Sequence, residues 1–530
     1  MTDPAKTAKS RLRRHYDVAI IGMGPVGVTL AKLLAGFGAQ VLAVDAAADI
    51  YDRPRAIGMD HEVMRVFQQI GVAEDLAPFI SMYRSSEYRT AKGDVIRRFT
   101  SPPAPFPLGW APYQTFLQPE LERVLRRHAA ADPQITMRTD CEMVSLKTNG
   151  TTATLGLCDV KSGIRQSVTA RFAIGCDGGA STVRKTLGIS FEDLIFDEPW
   201  IVVDALVNED VDLPDVNIQF CDPERPHTFV VGPRNLRRWE FMLMPGESPD
   251  DMTTDAAVWN LLAPWVSPNE AQLWRAAAYR FHALVAERWR LGNVFLAGDA
   301  CHMTPPFLAQ GMVQGIKDAV NLAWKLDAVL RGADQALLDS YEDERRPLVR
   351  DVIAVTKDLG RIICETDPAK AAQRNDRMRA DMADGRGETV RQELFPPIGN
   401  SLCRMRAIGA STAEGFAAPQ PRVATPEGWQ LLDDMIGPRW AILTRDTFKL
   451  PLRTRARAKA LGIEIVSIGP RGLAEEHDVF DRWMTAKNAN AILTRPDHMV
   501  MAGATTAGEL DTALGALQRL FPHTLEVSHA

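Results

Sequence analysis

The run Tyr16-Asp17-Val18-Ala19-Ile20-Ile21-Gly22-Met23-Gly24-Pro25-Val26-Gly27 decides the fold. Its first six residues, apolar apart from Asp17 and the tyrosine hydroxyl, have the composition of a short strand buried on both faces. Glycines at 22, 24 and 27 follow at once. Val28, Ala31, Leu34 and Ala35 then recur at helical spacing, until Gly36 and Gly38 end the helix. Val41-Leu42-Ala43-Val44 reads as a second strand that closes on Asp45. Strand, helix and strand in this order predict a βαβ unit opening an α/β domain. In that setting each glycine of Gly22-x-Gly24-x-x-Gly27 has a task. Gly22 permits the tight turn, Gly24 lets the backbone approach a pyrophosphate, and Gly27 lets helix and strand pack closely. The helix start, with Pro25 at its first position, offers the unpaired N–H groups of Val26 and Gly27 and a positive dipole end to the phosphates. Asp45, 23 residues after Gly22, is placed to accept both hydroxyls of an adenosine ribose. Glycines of this kind also punctuate ordinary βα turns; the two flanking strands and Asp45 favour a dinucleotide. The pattern does not choose between FAD and NAD.

Outward from this unit, apolar spacing predicts a helix over 59–72 and another over 119–130 opened by Pro119, then a strand near 168–174. From about 190 to 290 the character changes. Short β-branched and aromatic runs separated by Pro, Asp and Arg predict a mainly antiparallel sheet. The α/β pattern returns with Val294-Phe295-Leu296-Ala297-Gly298-Asp299 and a long helix over 311–330. A Pro/Gly-rich stretch over 396–427 reads as a linker. Beyond it, strands near 440–444, 463–467 and 490–494, a hairpin through Pro496-Asp497 and a last helix after Thr506 predict a small βα unit. The expected boundaries are an N-terminal arm over 1–15, an α/β domain over 16–190 and 291–395, an inserted sheet over 191–290, the linker 396–427 and a C-terminal unit over 428–530.

Composition removes several function classes. The chain has 530 residues and a net charge of −6, with 61 Lys and Arg against 67 acidic residues. That balance gives no field to gather nucleic acid or anionic lipid. No uncharged run reaches membrane-spanning length. Seven scattered cysteines without a CxxC pair argue against a disulfide framework and a zinc knuckle, so no metal is expected. The basic N-terminus (Lys6, Lys9, Arg11, Arg13, Arg14) lacks an apolar signal stretch, which leads to the expectation of a cytoplasmic protein.

Three separated motifs together resemble the FAD-dependent aromatic monooxygenases of the para-hydroxybenzoate hydroxylase class. They are the glycine turn with Asp45; Cys176-Asp177-Gly178-Gly179-Ala180-Ser181-x-x-Arg184; and Gly298-Asp299-Ala300-Cys301-His302-x-x-Pro305-Pro306, continuing to Gly311 and Asp318-Ala319-x-Asn321-Leu322-Ala323-Trp324. Pro54-Arg55-Ala56-Ile57-Gly58-Met59-Asp60-His61-Glu62 and Arg238-Trp239-Glu240-Phe241 resemble the 3-(3-hydroxyphenyl)propionate hydroxylases within that class. The resemblance implies FAD, NADPH or NADH as co-substrate, O2, and a phenolic substrate hydroxylated ortho to its hydroxyl through a flavin C4a-hydroperoxide. It implies a thioredoxin-like C-terminal domain, here without CxxC, and members of the class often pair as homodimers. A relative acting on a polycyclic, quinolone or nitrophenolic compound stays open, as does a flavoprotein docking module with weak or lost hydroxylation.

By the same resemblance Arg55, Gln118 and Pro305 lie at the flavin. Asp177 and Gly178 couple the two cofactor sites, Asp299 touches the ribityl or pyrophosphate region, and Gly311 with Met312 opens the helix that faces the flavin's pyrimidine edge. No residue declares itself as the base. His61 is one choice by its ordinary pKa, against a surface histidine on the outer face of its helix. Tyr113 is another, against a tyrosine merely packed on the flavin-domain helices. Arg238 or Arg234 would pair with a substrate carboxylate, against exposed charges on sheet strands. His302 is expected to brace its loop. Cys301 and Leu308-Ala309 depart from the commonest forms of the class and are expected to reshape the cavity beside the ring.

Overall fold

The computed structural model describes residues 12–399 and 409–521. Lys6, Lys9, Arg11 and Cys403 lie outside them. The opening strand His15–Ile21, helix Pro25–Gly36 and strand Val41–Val44 form as expected. The strand sits at the centre of a parallel sheet, between Arg165–Gly175 on one side and Val41–Val44 on the other. Val294–Leu296 extends the sheet beyond Arg165–Gly175, and Ile135–Arg138 extends it beyond Val41–Val44. Both faces are covered, so Val18, Ile20, Leu42 and Ile174 are fully buried and these strands carry no polar alternation.

The second large sheet has nine strands. Its centre is the expected region, where Phe191–Val207 pairs antiparallel with Leu236–Met242 on one side and Ala271–Ala286 on the other. The sheet also draws strands from outside 191–290. Asn217–Cys221 pairs parallel with Ser86–Thr90, which pairs with Val95–Thr100, and Glu388–Val390 closes the edge. The two parallel pairings span too much sequence to leave a local turn signal, whereas Ser86–Thr90 and Val95–Thr100 form a local antiparallel hairpin that is missing from the expected elements.

Two expected helices move by a residue or more. The helix expected over 59–72 runs from His61 to Gln69, with Met59 instead in the short strand Gly58–Asp60. Asp60 caps it, accepting from the Val63 N–H at 3.0 Å. The second is Gln118–Ala130, and the long helix is Gly311–Leu330.

The expected linker is a correction. Within 396–427, Ala413, Ala418 and Val423 are buried in the core of the C-terminal unit, and Arg422–Thr425 is a strand. Prolines and glycines shape the described part, 396–399 and 409–427, without loosening it. Beyond it, Ala441–Arg445 pairs parallel with Glu464–Ile468 and antiparallel with Ala491–Thr494, which forms the expected hairpin with Val500–Ala504. The closing helix Ala507–Leu520 begins with a capping box. Thr506 Oγ1 accepts from Glu509 N at 3.3 Å, and Glu509 Oε2 accepts from Thr506 N at 3.1 Å. Thr506→Ala is expected to speed amide hydrogen exchange across 507–520 by roughly fivefold, the equivalent of about 1 kcal/mol for a lost cap; unchanged protection there would show that packing alone holds the helix start.

The C-terminal unit is bolted to the α/β domain by apolar and ionic contacts. Trp440 meets Trp324 edge-on at 5.6 Å and Phe521 at 5.7 Å. Glu344, 1% exposed, accepts from Lys325 Nζ at 2.8 Å and from Arg495 Nη1 at 2.7 Å. Arg495 also binds Asp497 at 2.5 Å. Arg65 Nη2 donates to Asp433 at 2.8 Å and its Nη1 to the Ala418 carbonyl at 2.6 Å.

Candidate active site

The glycine turn has the close approaches the pattern requires. Gly22 has φ +101°, and a Cβ there would fall on the Cys176 carbonyl; one on Gly27 would fall on the Gly22 carbonyl. Gly24 differs, because a Cβ there meets nothing within 4 Å. Its backbone faces open space at the start of a helix that no side chain caps. Asp45 stands at the end of the second strand, accepting from Met23 N at 2.7 Å and Ala47 N at 2.8 Å. Each carboxylate oxygen retains a lone pair for a ribose hydroxyl.

The long helix is placed by a contact the sequence did not announce. Gly315 lets it settle on the turn, since a Cβ there would lie 2.6 Å from Val26 Cγ2 and 3.0 Å from Gly298 Cα. Behind it, fully buried Asp318 accepts from His302 Nε2 at 2.8 Å, Gly298 N at 3.0 Å and Arg345 Nε at 2.9 Å. His302 therefore braces the loop. Cys301, His302 and Asp318 have metal-ligand spacing, but Arg345 already supplies the positive charge that a cation would bring to Asp318. Gly311, like Gly24, faces open space. Asp299 lines the cavity and is exposed to it, and desolvation by the surrounding protein pushes its pKa up, opposed by His302 and Arg55.

These elements border a cavity of about 410 Å³ between the parallel sheet and the nine-stranded sheet. Gly24, Pro25, Val26, Arg55, Gln118, Gly178, Asp299, Gly311 and Met312 line one side. Tyr83, Tyr113, Tyr279, Phe281, Phe307 and Arg391 line the other. The first side fits FAD by its own chemistry, with an exposed glycine backbone for pyrophosphate and two uncapped helix starts, while Asp45 lies beyond the lining at the end of the neighbouring strand.

Several expected residues stand elsewhere or do other work. Gly22 and Gly27 support the turn from behind. Asp177 does not line the cavity; its carboxylate accepts from Thr182 N at 2.7 Å and Val183 N at 3.0 Å, capping a short helix, while Gly178 lines the cavity. Pro305 is buried behind Pro306, and Pro306 through Ala309 form the wall. Ala309 holds φ +48°, where a glycine would be unstrained. Cys301 lies behind the wall against the Gly298 carbonyl, so it does not shape the cavity.

His61 is absent from this cavity. It opens instead into a second one of about 620 Å³ under the C-terminal unit, neither beside the flavin site nor on an outer helix face. Burial there lowers its pKa, with Asp60 and Glu62 opposing. Tyr113 borders both cavities, and burial pushes its pKa up to about 12. At neutral pH it is a hydrogen-bond donor and not a base.

Arg238 lines the cavity but its donors are taken. Nε binds Asp204 at 2.7 Å, and Nη1 and Nη2 donate to the Arg55 and Pro54 carbonyls at 2.8 and 3.2 Å. Gln118 Oε1 accepts from Arg55 N at 3.0 Å and Ala56 N at 2.5 Å, so the two residues clamp the Arg55 loop from opposite sides. Arg234 sits outside, in a turn with φ +56°, donating to the Pro78 carbonyl at 3.0 Å. Asp204, Arg275, Tyr83 and Arg391 carry no local motif, and nothing in the sequence singled them out.

Comparison with known proteins agrees with this geometry. Residues 15–356 match the model of the FAD binding domain family, and 415–520 match the HcaD C-terminal domain. The chain is 34% identical to a probable NADH-specific resorcinol 4-hydroxylase of Rhodococcus jostii, over 94% of each chain. It is 31% identical to a 3-(3-hydroxy-phenyl)propionate/3-hydroxycinnamic acid hydroxylase of Klebsiella pneumoniae, over 100% of this chain and 99% of the relative. The flavin-dependent monooxygenase PieE, solved with FAD and substrate, superposes with a TM-score of 0.80 at 21% identity, covering 96% of this chain and 99% of PieE. No described helix is long and apolar enough to cross a membrane. The glycine turn, the open Gly24 and Asp299 positions and these matches together place the chain in the class A FAD-dependent aromatic monooxygenase family.

Proposed function

We propose that the protein hydroxylates a single-ring phenol bearing a meta substituent, of the kind represented by 3-(3-hydroxyphenyl)propionate, ortho to its hydroxyl, using O2 and NADH or NADPH. The observation that carries this reading is the continuity of the cavity: one space joins the Gly24–Asp299 side to the Tyr113–Phe281–Phe307 side. Bound FAD, reduced by the nicotinamide, supplies the activated oxygen. The chain's part is placement and exclusion of water. Gly24, the helix start that follows it and Asp45 would hold the adenosine and pyrophosphate half, and Asp299 with the helix start at Gly311 and Met312 would border the flavin half. The Arg55 loop, clamped by Arg238 and Gln118, would border the flavin as well. Tyr113 donates to the ring oxygen, and the aromatic wall keeps the site dry.

Both named relatives act on phenols with a meta oxygen or carbon substituent, which supports the ring class. The βαβαββα order of the C-terminal unit, with a parallel pair of strands followed by an antiparallel hairpin, supports a structural thioredoxin-like domain. Scattered cysteines without a CxxC pair suit a reducing cytoplasm. The deciding experiment is NADH and NADPH oxidation by FAD-loaded protein with and without 3-(3-hydroxyphenyl)propionate and resorcinol, with product quantified. We expect stimulation of at least about tenfold and close to one product per nicotinamide. Normal FAD binding without stimulation by either phenol would overturn the reading.

A further inference from the structure

We infer that Arg391 is the residue that recognises an anionic oxygen of the substrate, an inference that rests on the aromatic side of the cavity being the substrate site. Arg391 borders both this side and the second cavity under the C-terminal unit, at the turn Arg391–Leu394 after the edge strand Glu388–Val390. It is 4% exposed. Its guanidinium carbon lies 3.9 Å over the centre of the Tyr113 ring and 5.9 Å from that of Tyr83, which meets Tyr113 edge-on at 4.9 Å. Nη2 donates to the Leu308 carbonyl at 2.5 Å, and Nε is buried with no partner.

The other arginines of the cavity are accounted for. Arg238 is paired with Asp204, Arg280 with Asp197, and Arg55 is exposed at the rim. Arg391 forms no ion pair with a carboxylate among the described residues. A buried cation without a counter-charge is costly, and the surrounding aromatic faces and one carbonyl offset only part of that cost. A guanidinium held flat on a tyrosine, with an edge still unfilled, is preorganised for a planar or single anionic oxygen. The ligand chemistry is therefore a carboxylate on the substrate's side chain or the phenolate oxygen itself. Either way Arg391, and neither Arg238 nor Arg234, fixes which end of the ring points away from the flavin.

The test compares FAD-loaded wild type with Arg391→Met and Arg391→Lys, reading ligand Kd from the flavin absorbance change. The ligands are 3-(3-hydroxyphenyl)propionate, its neutral primary amide and resorcinol. If the carboxylate is held, Arg391→Met weakens the acid about ten- to hundredfold and the amide and resorcinol by less than about twofold. Arg391→Lys then recovers part of the loss. If the phenolate is held, all three weaken in Arg391→Met, and the phenolate absorbance band of the bound phenol appears about one pH unit or more higher. Unchanged affinities, or an equal loss for all three with the phenolate band unmoved, would overturn the inference and leave Arg391 a structural prop of Tyr113. Should Arg391→Met fail to retain FAD, Arg391→Gln, which keeps a donor for the Leu308 carbonyl, is read by the same ratios. A wild type that turns over phenols while the variants match it defeats this inference alone; a wild type that responds to no phenol defeats the proposed function and this inference together.

Discussion

Gly27→Ala is expected to leave the protein without bound FAD. The added Cβ would land on the Gly22 carbonyl oxygen and lie 3.3 Å from Cys176 Cβ. The first belongs to the turn itself and the second to the residue after the neighbouring strand Arg165–Gly175, and neither can swing aside as a long side chain would. The helix must back away from the turn, which misplaces the N–H groups at its start and costs about 1–3 kcal/mol in packing. Hydrogen bonds to a charged phosphate contribute about 1.5–3 kcal/mol each, so losing the alignment of two weakens FAD by at least about a hundredfold. Gly24→Ala is the informative partner. Its Cβ touches nothing in the chain, so the FAD-free protein should melt as wild type does, while the methyl occupies the space that the pyrophosphate needs. Flavin absorbance after gel filtration, with thermal melting of the FAD-free forms, separates the two. A Gly27→Ala protein that keeps a full complement of FAD would refute this account of the turn.

Glu344→Leu carries the second large effect, in stability. The carboxylate is the only described partner of opposite charge for Lys325 and one of two for Arg495, and all three side chains are at most 2% exposed. Removing it strands a buried ammonium, and breaking such a pair costs about 3–5 kcal/mol. The C-terminal unit should loosen first, because Arg495 belongs to it and Lys325 to the long helix. Lys325→Met with Glu344→Leu should recover much of the loss, since the pair is replaced by apolar volume. The pH dependence has a definite sign. Burial alone would push the Glu344 pKa up, but Arg495 and Lys325 outweigh it and hold the carboxyl far below its ordinary 4.5. The folded chain then binds fewer protons than the unfolded chain. Its contribution is complete above the ordinary glutamate range and is lost as pH falls through that range towards the folded pKa. Urea midpoints from pH 7 down to 3 should fall more steeply for wild type than for Glu344→Leu; parallel curves would show that the pair adds nothing.

How far the site could be read in advance depended on the range of each interaction. The glycine turn, Asp45, the helix Gly311–Leu330 and the C-terminal hairpin each left a local spacing that can be recognised, although the packing of Gly22 on Cys176 and of Gly315 on Val26 did not. Arg238 was legible as a charge near the site but not as a clamp, because its partners Asp204 and the Pro54 and Arg55 carbonyls lie 34 to 184 residues away. His61 had the right residue type, and only the packing of the C-terminal unit over its helix put it in a different cavity. The segment 396–427 looked loose by composition, yet Ala413, Ala418 and Val423 pack into a core that composition alone cannot foresee.

By itself the sequence determined the βαβ turn of this protein, since its glycines, its helix start and the strand-end Asp45 follow from local geometry. The aromatic half of the cavity was decided only by tertiary structure. Its wall brings together Tyr83 and Tyr113 from the first domain, Phe281 from the inserted sheet, Phe307 from the loop after Asp299, and Arg391 from a turn after the last edge strand. No local spacing links those residues, and the pairing of Ser86–Thr90 with Asn217–Cys221 and of Val95–Thr100 with Glu388–Val390 is what carries them to one cavity.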